Sequence, residues 1–258
     1  MIDVSAEMVR YPNTGRFLMS RLRDAMSEEE KADLEGMVRD IRWIERPTRL
    51  VARGDICDHS TMLIEGFVLR TLDRDGGRNA VSFHVPGDFI DLHGFALKRL
   101  DHNIDTVGPV KIGEVPRAAL NEVMRDKPHL ARLFWFSTLL DAAMHREWIM
   151  TLEQLTTPRR IAHIFAEIYR RLWMVGLSAA DGFDTPLTQS DLSEMCGATP
   201  IHINRALRDL REKGLAVFDR GRVVIHDPAR LEAFASFSPD YLYGPWSLAY
   251  GRQAGDFI

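Results

Sequence analysis

The sequence predicts an α+β chain: an N-terminal β-roll or jelly roll, a long helix suited to dimerisation, and a C-terminal winged helix-turn-helix. Three observations carry this. Between about Ile41 and Val115, short alternating segments are separated by glycine turns. From Pro128 to about Leu155 a helical apolar pattern runs without a break. Residues 187–225 (LTQSDLSEMCGATPIHINRALRDLREKGLAVFDRGRVVI) hold two short helices, a tight turn and two strands. The expected units are 1–127 (N-terminal helices and roll), 128–156 (dimerisation helix), 157–237 (winged helix) and 238–258 (tail). A chain of 258 residues is long enough for two cores.

Residues 1–15 show little pattern. Gly15-Arg16-Phe17-Leu18 begins an expected helix, and Ser27 followed by three glutamates is a strong helix start. In the roll, Gly54-Asp55 ends one segment. Glu65-Gly66 is expected to turn the chain again, with Phe67–Leu72 continuing beyond it. Asp75-Gly76-Gly77 is a hairpin signal. Val81, Phe83 and Val85 alternate with Ser82 and His84, Pro86-Gly87-Asp88 closes that strand, and 106–115 is expected to form a final pair of short strands.

A short helix over 116–125 leads to the long one. Leu133, Phe136, Leu140 and Ala143 are spaced near a heptad and are the expected dimer contacts. A second apolar set (Leu139, Trp148, Ile149, Leu152) lies elsewhere around the helix, so it must pack on more than one partner. Thr156-Thr157-Pro158 breaks the helix, 159–175 forms another, and 178–184 is expected as a polar linker. After the wing, Asp227-Pro228 starts a last helix to about Phe237. The tail is aromatic (Tyr241, Tyr243, Trp246, Tyr250, Phe257) without periodicity.

In the winged helix, Thr188 caps a first helix with Asp191 three residues on, and Gly197 opens the turn. Thr199 caps a second helix whose first residue is Pro200, where a missing N–H costs nothing. Ile203, Ala206, Leu207 and Leu210 form its inner face, while Ile201, Arg205, Arg208 and Glu212 project outward. A lone amphipathic helix would ordinarily just present a solvated face. The capped helix before it and the basic wing after it argue for DNA instead. Residues 199–223 carry six basic side chains against three acidic ones, in a chain of net charge −4. The candidate base contacts are Ile201, His202, Asn204, Arg205 and Arg208. The candidate phosphate contacts are Thr188, Gln189, Thr199, Arg220 and Arg222.

Composition bounds the rest. Hydrophobic content of 45% and charged content of 27% are those of an ordinary globular protein. There is no apolar run of membrane-spanning length and no signal-peptide pattern, so the expected location is cytoplasmic, with no membrane partner. Cys57 and Cys196 form no metal or redox pair. No Ser/His/Asp or P-loop arrangement is present, so no enzyme is expected. The alternative, a cupin-like metalloenzyme on a jelly roll, requires an HxH pair that His59 lacks.

Gly54-Asp55, Glu65-Gly66, Pro86-Gly87-Asp88-Phe89, Pro158-Arg159-Arg160-Ile161-Ala162 and the helix-turn-helix stretch together resemble the Crp/Fnr superfamily of bacterial transcription regulators, over about residues 40–237. The resemblance implies a homodimer on a two-fold site in double-stranded DNA. It also implies an effector sensed in the β-roll and, for an activator, contact with RNA polymerase. Arg205 matches the family's guanine-reading arginine, whereas Ile201 stands where a glutamate is common. The cyclic-nucleotide cassette is not matched: Asp91-Leu92-His93-Gly94-Phe95 lacks its glutamate, Arg99 lacks the following Ser or Ala, and Asp101 and Asp105 would repel a phosphate. Cyclic AMP is therefore disfavoured. Two distant cysteines argue against an iron–sulfur cluster. Haem is compatible with His59, His84, His93 and His102, none of which has a spacing that demands a metal, so no cofactor is expected. The effector-binding residues are left unassigned.

Overall fold

The computed structural model describes residues 3–74 and 76–246. Helix α1 (Val4–Arg10) is capped by Asp3, whose side chain accepts from the Ser5 amide. The helix expected from Gly15 does not form. Residues 12–22 are a chain of turns, with Leu18 and Ser20 at positive φ, ending in a 3-10 turn at Arg23–Ala25. The cause is tertiary: the Glu35 carboxylate draws in the amides of Asn13 and Thr14 and the Thr14 hydroxyl (3.2, 3.0 and 2.8 Å). Phe17 is nevertheless buried, edge-on to Phe89 and Phe134. Helix α2 (Glu28–Met37) starts as expected, with both bonds of a Ser27–Glu30 capping box.

The roll comprises β1 (Arg39–Ile44), β2 (Arg49–Val51), β3 (His59–Arg74), β4 (Gly77–His84) and β5 (Asn103–Pro116). They form one antiparallel sheet in the order β1-β5-β3-β4, with β2 also paired to β5; the short helix α3 (Gly94–Leu97) lies between β4 and β5. The turn expected at Glu65-Gly66 and the strand pair expected over 106–115 are instead two long, bulged strands. Gly66 has φ +87°, the register shifts around it, and a Cβ there would lie 2.3 Å from the Pro109 carbonyl oxygen. A glycine inside a strand marks a bulge or a close backbone approach as readily as a turn. Asp75, of the expected hairpin, lies outside the described residues.

Helix α4 (Arg117–Asp126) leads into α5 (Pro128–Gln154), unbroken for 27 residues. The expected dimer contacts are largely taken up inside the chain. Leu133, Leu140 and Ala143 are buried within the chain itself, and Phe136 is half-buried against the Tyr243 ring. The roll and the C-terminal segments occupy that face. Exposed instead are Trp135, Leu139, Ile149 and Met150, whose spacing places them along one stripe. The chain breaks at Leu155–Thr156 and continues in α6 (Thr157–Met174).

The C-terminal part holds β6 (Gly182–Asp184), α7 (Gln189–Cys196), α8 (Pro200–Glu212), β7 (Ala216–Asp219), β8 (Arg222–Ile225) and α9 (Pro228–Ala235). The expected linker over 178–184 is partly strand: β6 joins the wing in a sheet of order β6-β8-β7. The start of the tail docks back on α5 and α6. The Tyr241 hydroxyl donates to Glu167 at 2.7 Å, and Trp246 lies on Trp173 and under the Arg170 guanidinium. Tyr250 and Phe257 lie outside the described residues.

Roll and winged helix share one core, which runs from Leu69, Phe83 and Val107 to Ile161, Phe165 and Leu187. Buried Arg171 of α6 crosses this boundary, donating to the Phe83 carbonyl (2.7 Å) and to Asp88 (2.6 Å). Among the described residues no helix is long and apolar enough to cross a membrane.

Candidate nucleic-acid interface

The geometry of the helix-turn-helix follows from its caps. Thr188 accepts from the Asp191 amide at 3.2 Å, and Asp191 accepts from the Thr188 amide at 2.8 Å, so α7 begins at a reciprocal box. Gly197, left-handed at φ +58°, ends it. Thr199 then accepts from the His202 amide, with Pro200 in the first helical turn of α8. Ile203, Ala206 and Leu210 are buried and Leu207 packs against them, which turns the opposite side of α8 to solvent.

That outer face carries Ile201, His202, Asn204, Arg205 and Arg208, all exposed. Arg205 and Arg208 form no ion pair among the described residues, so their guanidinium donors are open. His202 and Asn204 are partly committed. The His202 ring lies 3.0 Å from the Thr199 hydroxyl, and the Asn204 amide donates to the Pro200 carbonyl at 3.1 Å. Ile201 is 65% exposed, which makes an apolar spot beside two arginines.

The wing turn has Arg220 and Gly221 both at positive φ between paired Asp219 and Arg222, the signature of a two-residue hairpin. Arg220 projects from the tip, 93% exposed, with a loose ion pair to Asp219 at 3.8 Å. Arg222 differs. Its guanidinium bonds Asp184 (3.0 Å) and Asp181 (2.8 Å), which hold its pKa above the ordinary arginine value. A phosphate would have to compete with two carboxylates there, so Arg222 is a weaker candidate than its position in the sequence suggests. Thr188 and Gln189 are exposed at the start of α7, and Thr199 at the start of α8.

Sequence reasoning missed Arg78. From β4 it bonds Asp191 (2.8 Å) and Glu194 (2.7 Å) of α7, and so fastens the first helix of the motif to the roll. No local pattern announces a pair so distant in sequence.

A second concentration of polar groups lies in a cleft of about 270 Å³ between the roll and α5, lined by Arg70, His93, Asp101, His102, Asp141 and His145. Arg70 pairs with Asp141 across it. Burial, then the Arg70 charge, lower the pKa of both His93 (to about 3) and His102. Of the four histidines weighed for haem, only these two come together. His84 is buried against Ser82, and His59 pairs with Asp58. Cys57 and Cys196 are buried free thiols in separate clusters, and burial pushes the Cys196 thiol up to about 12.

Capped helix, glycine turn, exposed arginines and basic wing tip define a helix-turn-helix DNA-binding transcription regulator. Residues 159–234 match the Crp-like helix-turn-helix domain. The chain is 28% identical over 210 residues to the transcriptional activator protein FnrL of Cereibacter sphaeroides, covering 79% of this chain and 83% of that protein. It is 23% identical over 218 residues to the nitrogen fixation regulation protein FixK of Bradyrhizobium diazoefficiens, covering 84% and 90%. The solved structure of FixK2 from Bradyrhizobium japonicum superposes with a TM-score of 0.70 at 19% identity, over 77% of this chain and 98% of that one. The chain thus carries a Crp-like helix-turn-helix domain and is similar over most of its length to transcription regulators of the Crp/Fnr type. These relatives are regulators rather than enzymes, which removes the ground for the cupin-like alternative.

Proposed function

We propose that this regulator works as a homodimer that reads a two-fold DNA site through α8 and responds to a signal in the roll–α5 cleft. The observation that carries the reading is the outer face of α8, where Arg205 and Arg208 stand exposed without carboxylate partners among the described residues, on a helix fixed at both ends. Arg205 bonds guanine O6 and N7 together, and Ile201 meets a thymine methyl. Arg208 reaches a neighbouring base, with His202 and Asn204 once they exchange their bonds within the helix. Thr188, Gln189, Thr199 and Arg220 hold phosphates, and Arg222 contributes where Asp181 and Asp184 release it.

The dimer forms through the exposed stripe of α5 (Trp135, Leu139, Ile149, Met150), since the heptad set is used within the chain. An apolar stripe of this kind left in water favours association, and a two-fold protein matches a palindromic site. The units 1–127, 128–156 and 157–237 divide this work into sensing, dimerisation and reading, and the tail 238–258 is left without a role. The protein acts in the cytoplasm, and as an activator it would also touch RNA polymerase.

Genome-wide binding followed by a footprint of the best site tests this. The expected footprint is a dyad with half-sites about one helical turn apart. A single asymmetric site bound by a monomer would contradict it.

A further inference from the structure

The cleft between the roll and α5 holds the most organised donor set outside the DNA-facing surface. His93 precedes α3, while Asp101 and His102 lead into β5. One ligand-capable atom from each of the three lies within 4.8 Å of the others, and the two imidazole centroids are 5.1 Å apart.

Three further observations indicate what this set is for. The His102 side chain is nine-tenths buried, yet its Nε2 has no hydrogen-bond partner among the described residues. A buried polar atom without a partner is costly and calls for a reason. Its Nδ1 lies 2.8 Å from Asp101 Oδ1, which places the proton on Nδ1 and the lone pair on the orphaned Nε2. A carboxylate fixing one ring nitrogen so that the other is a better donor is the usual support of a metal-bound histidine. Finally, Asp141 lines the same cleft, with its Oδ2 on Arg70 and its buried Oδ1 3.8 Å from His145 Nδ1 but without a hydrogen bond among the described residues. Asp101 and Asp141 therefore outnumber the single cation Arg70 there, a balance that suits a cation and repels a phosphate.

We propose that His93 and His102 bind one divalent first-row transition-metal ion in this cleft, with Asp101 orienting the His102 ring. Two imidazoles suit Zn²⁺, Fe²⁺, Co²⁺ or Ni²⁺, whereas Mg²⁺ and Ca²⁺ take oxygen ligands. With two protein donors, the remaining coordination positions are open to water or a small ligand. Asp141 and His145 belong to α5, so an ion in the cleft changes the charge facing the helix that carries the dimer stripe. That regulatory consequence rests on the function proposed above; the metal site does not.

The test titrates full-length, metal-stripped protein with Co²⁺ and Zn²⁺ by calorimetry, and follows Co²⁺ by visible absorption. One ion per chain is expected. His93→Ala and Asp101→Ala, both at sites where the cleft opens to solvent, should each weaken binding about 10–100-fold while melting at the wild-type temperature. His59→Ala, outside the cluster, should bind as wild type does. Absence of one-to-one binding, or equal affinity in wild type, His93→Ala and Asp101→Ala, overturns the site. A DNA titration with and without Zn²⁺ separates the two claims. Zn²⁺ should shift DNA affinity in wild type but not in His93→Ala. An ion bound without such a shift overturns only the regulatory consequence. An ion bound by a protein with no specific DNA site overturns the function proposed above and leaves the metal site standing.

Discussion

Arg171→Met tests the joint between roll and winged helix. The Arg171 guanidinium is 2% exposed and bonds the Phe83 carbonyl at 2.7 Å, Asp88 at 2.6 Å and Glu167 at 3.1 Å. Burial alone would raise the pKa of Asp88, but Arg171 and then His84 hold it well below the usual carboxylate range. Removing the arginine leaves two carboxylates and a carbonyl buried without their partner. Breaking a buried pair from one side costs about 3–5 kcal/mol. At about 2–4 °C per kcal/mol for a chain of this size, the midpoint should fall by about 6–20 °C. Circular dichroism melts measure this. Arg171→Met/Asp88→Asn should recover part of the loss, because it also removes the stranded charge. The pH dependence has a fixed sign. Asp88 has a depressed folded pKa, so its contribution is present above its unfolded value of about 3.9 and is lost as pH falls below that. Wild type should therefore lose more stability on acidification than Arg171→Met. A midpoint within 2 °C of wild type, or identical acid profiles, would refute the reasoning.

Three other outcomes are expected. Trp135→Glu/Leu139→Glu places charge on the exposed α5 stripe and should yield monomers by light scattering without lowering the melting temperature; a dimer of unchanged affinity would redirect the interface. Arg220→Ala should weaken binding to all DNA sequences and flatten the salt slope by about one unit per wing contact, more than Arg222→Ala does, because Arg222 is already paired with Asp181 and Asp184. Gly182→Ala should destabilise by more than about 1 kcal/mol in denaturant melts, since φ is +141° and a Cβ there would lie 1.9 Å from the Val223 carbonyl oxygen. A neutral Gly182→Ala would mean that β6 does not pair with β8 as described.

The helix-turn-helix was legible because its signals are local. Thr188 with Asp191, Gly197, and Thr199 with Pro200 each act within four residues, and the spacing of Ile203, Ala206 and Leu210 alone orients α8. What escaped depends on distant partners. Gly15-Arg16-Phe17-Leu18 reads as a helix start, but Glu35 claims the backbone donors before it. Gly66 would look the same in sequence whether it turned the chain or bulged a strand; the approach of Pro109 decides it. The apolar stripes of α5 were visible, yet which one is covered depends on the roll, α6 and the docked tail. His93 and His102 were noticed singly, but their meeting depends on how the segment between β4 and β5 folds over the cleft.

The central claim is that Arg205 on α8 reads a guanine in each half of a two-fold site. Binding selection from randomised duplexes, run in parallel for wild type and Arg205→Ala, measures it most directly. Wild type should select a dyad with half-sites about one helical turn apart. Arg205→Ala should bind that site about 1–3 kcal/mol more weakly and lose its preference at one symmetry-related position per half-site, with the others kept. A wild-type selection without a dyad, or an Arg205→Ala preference identical to wild type, would contradict the account.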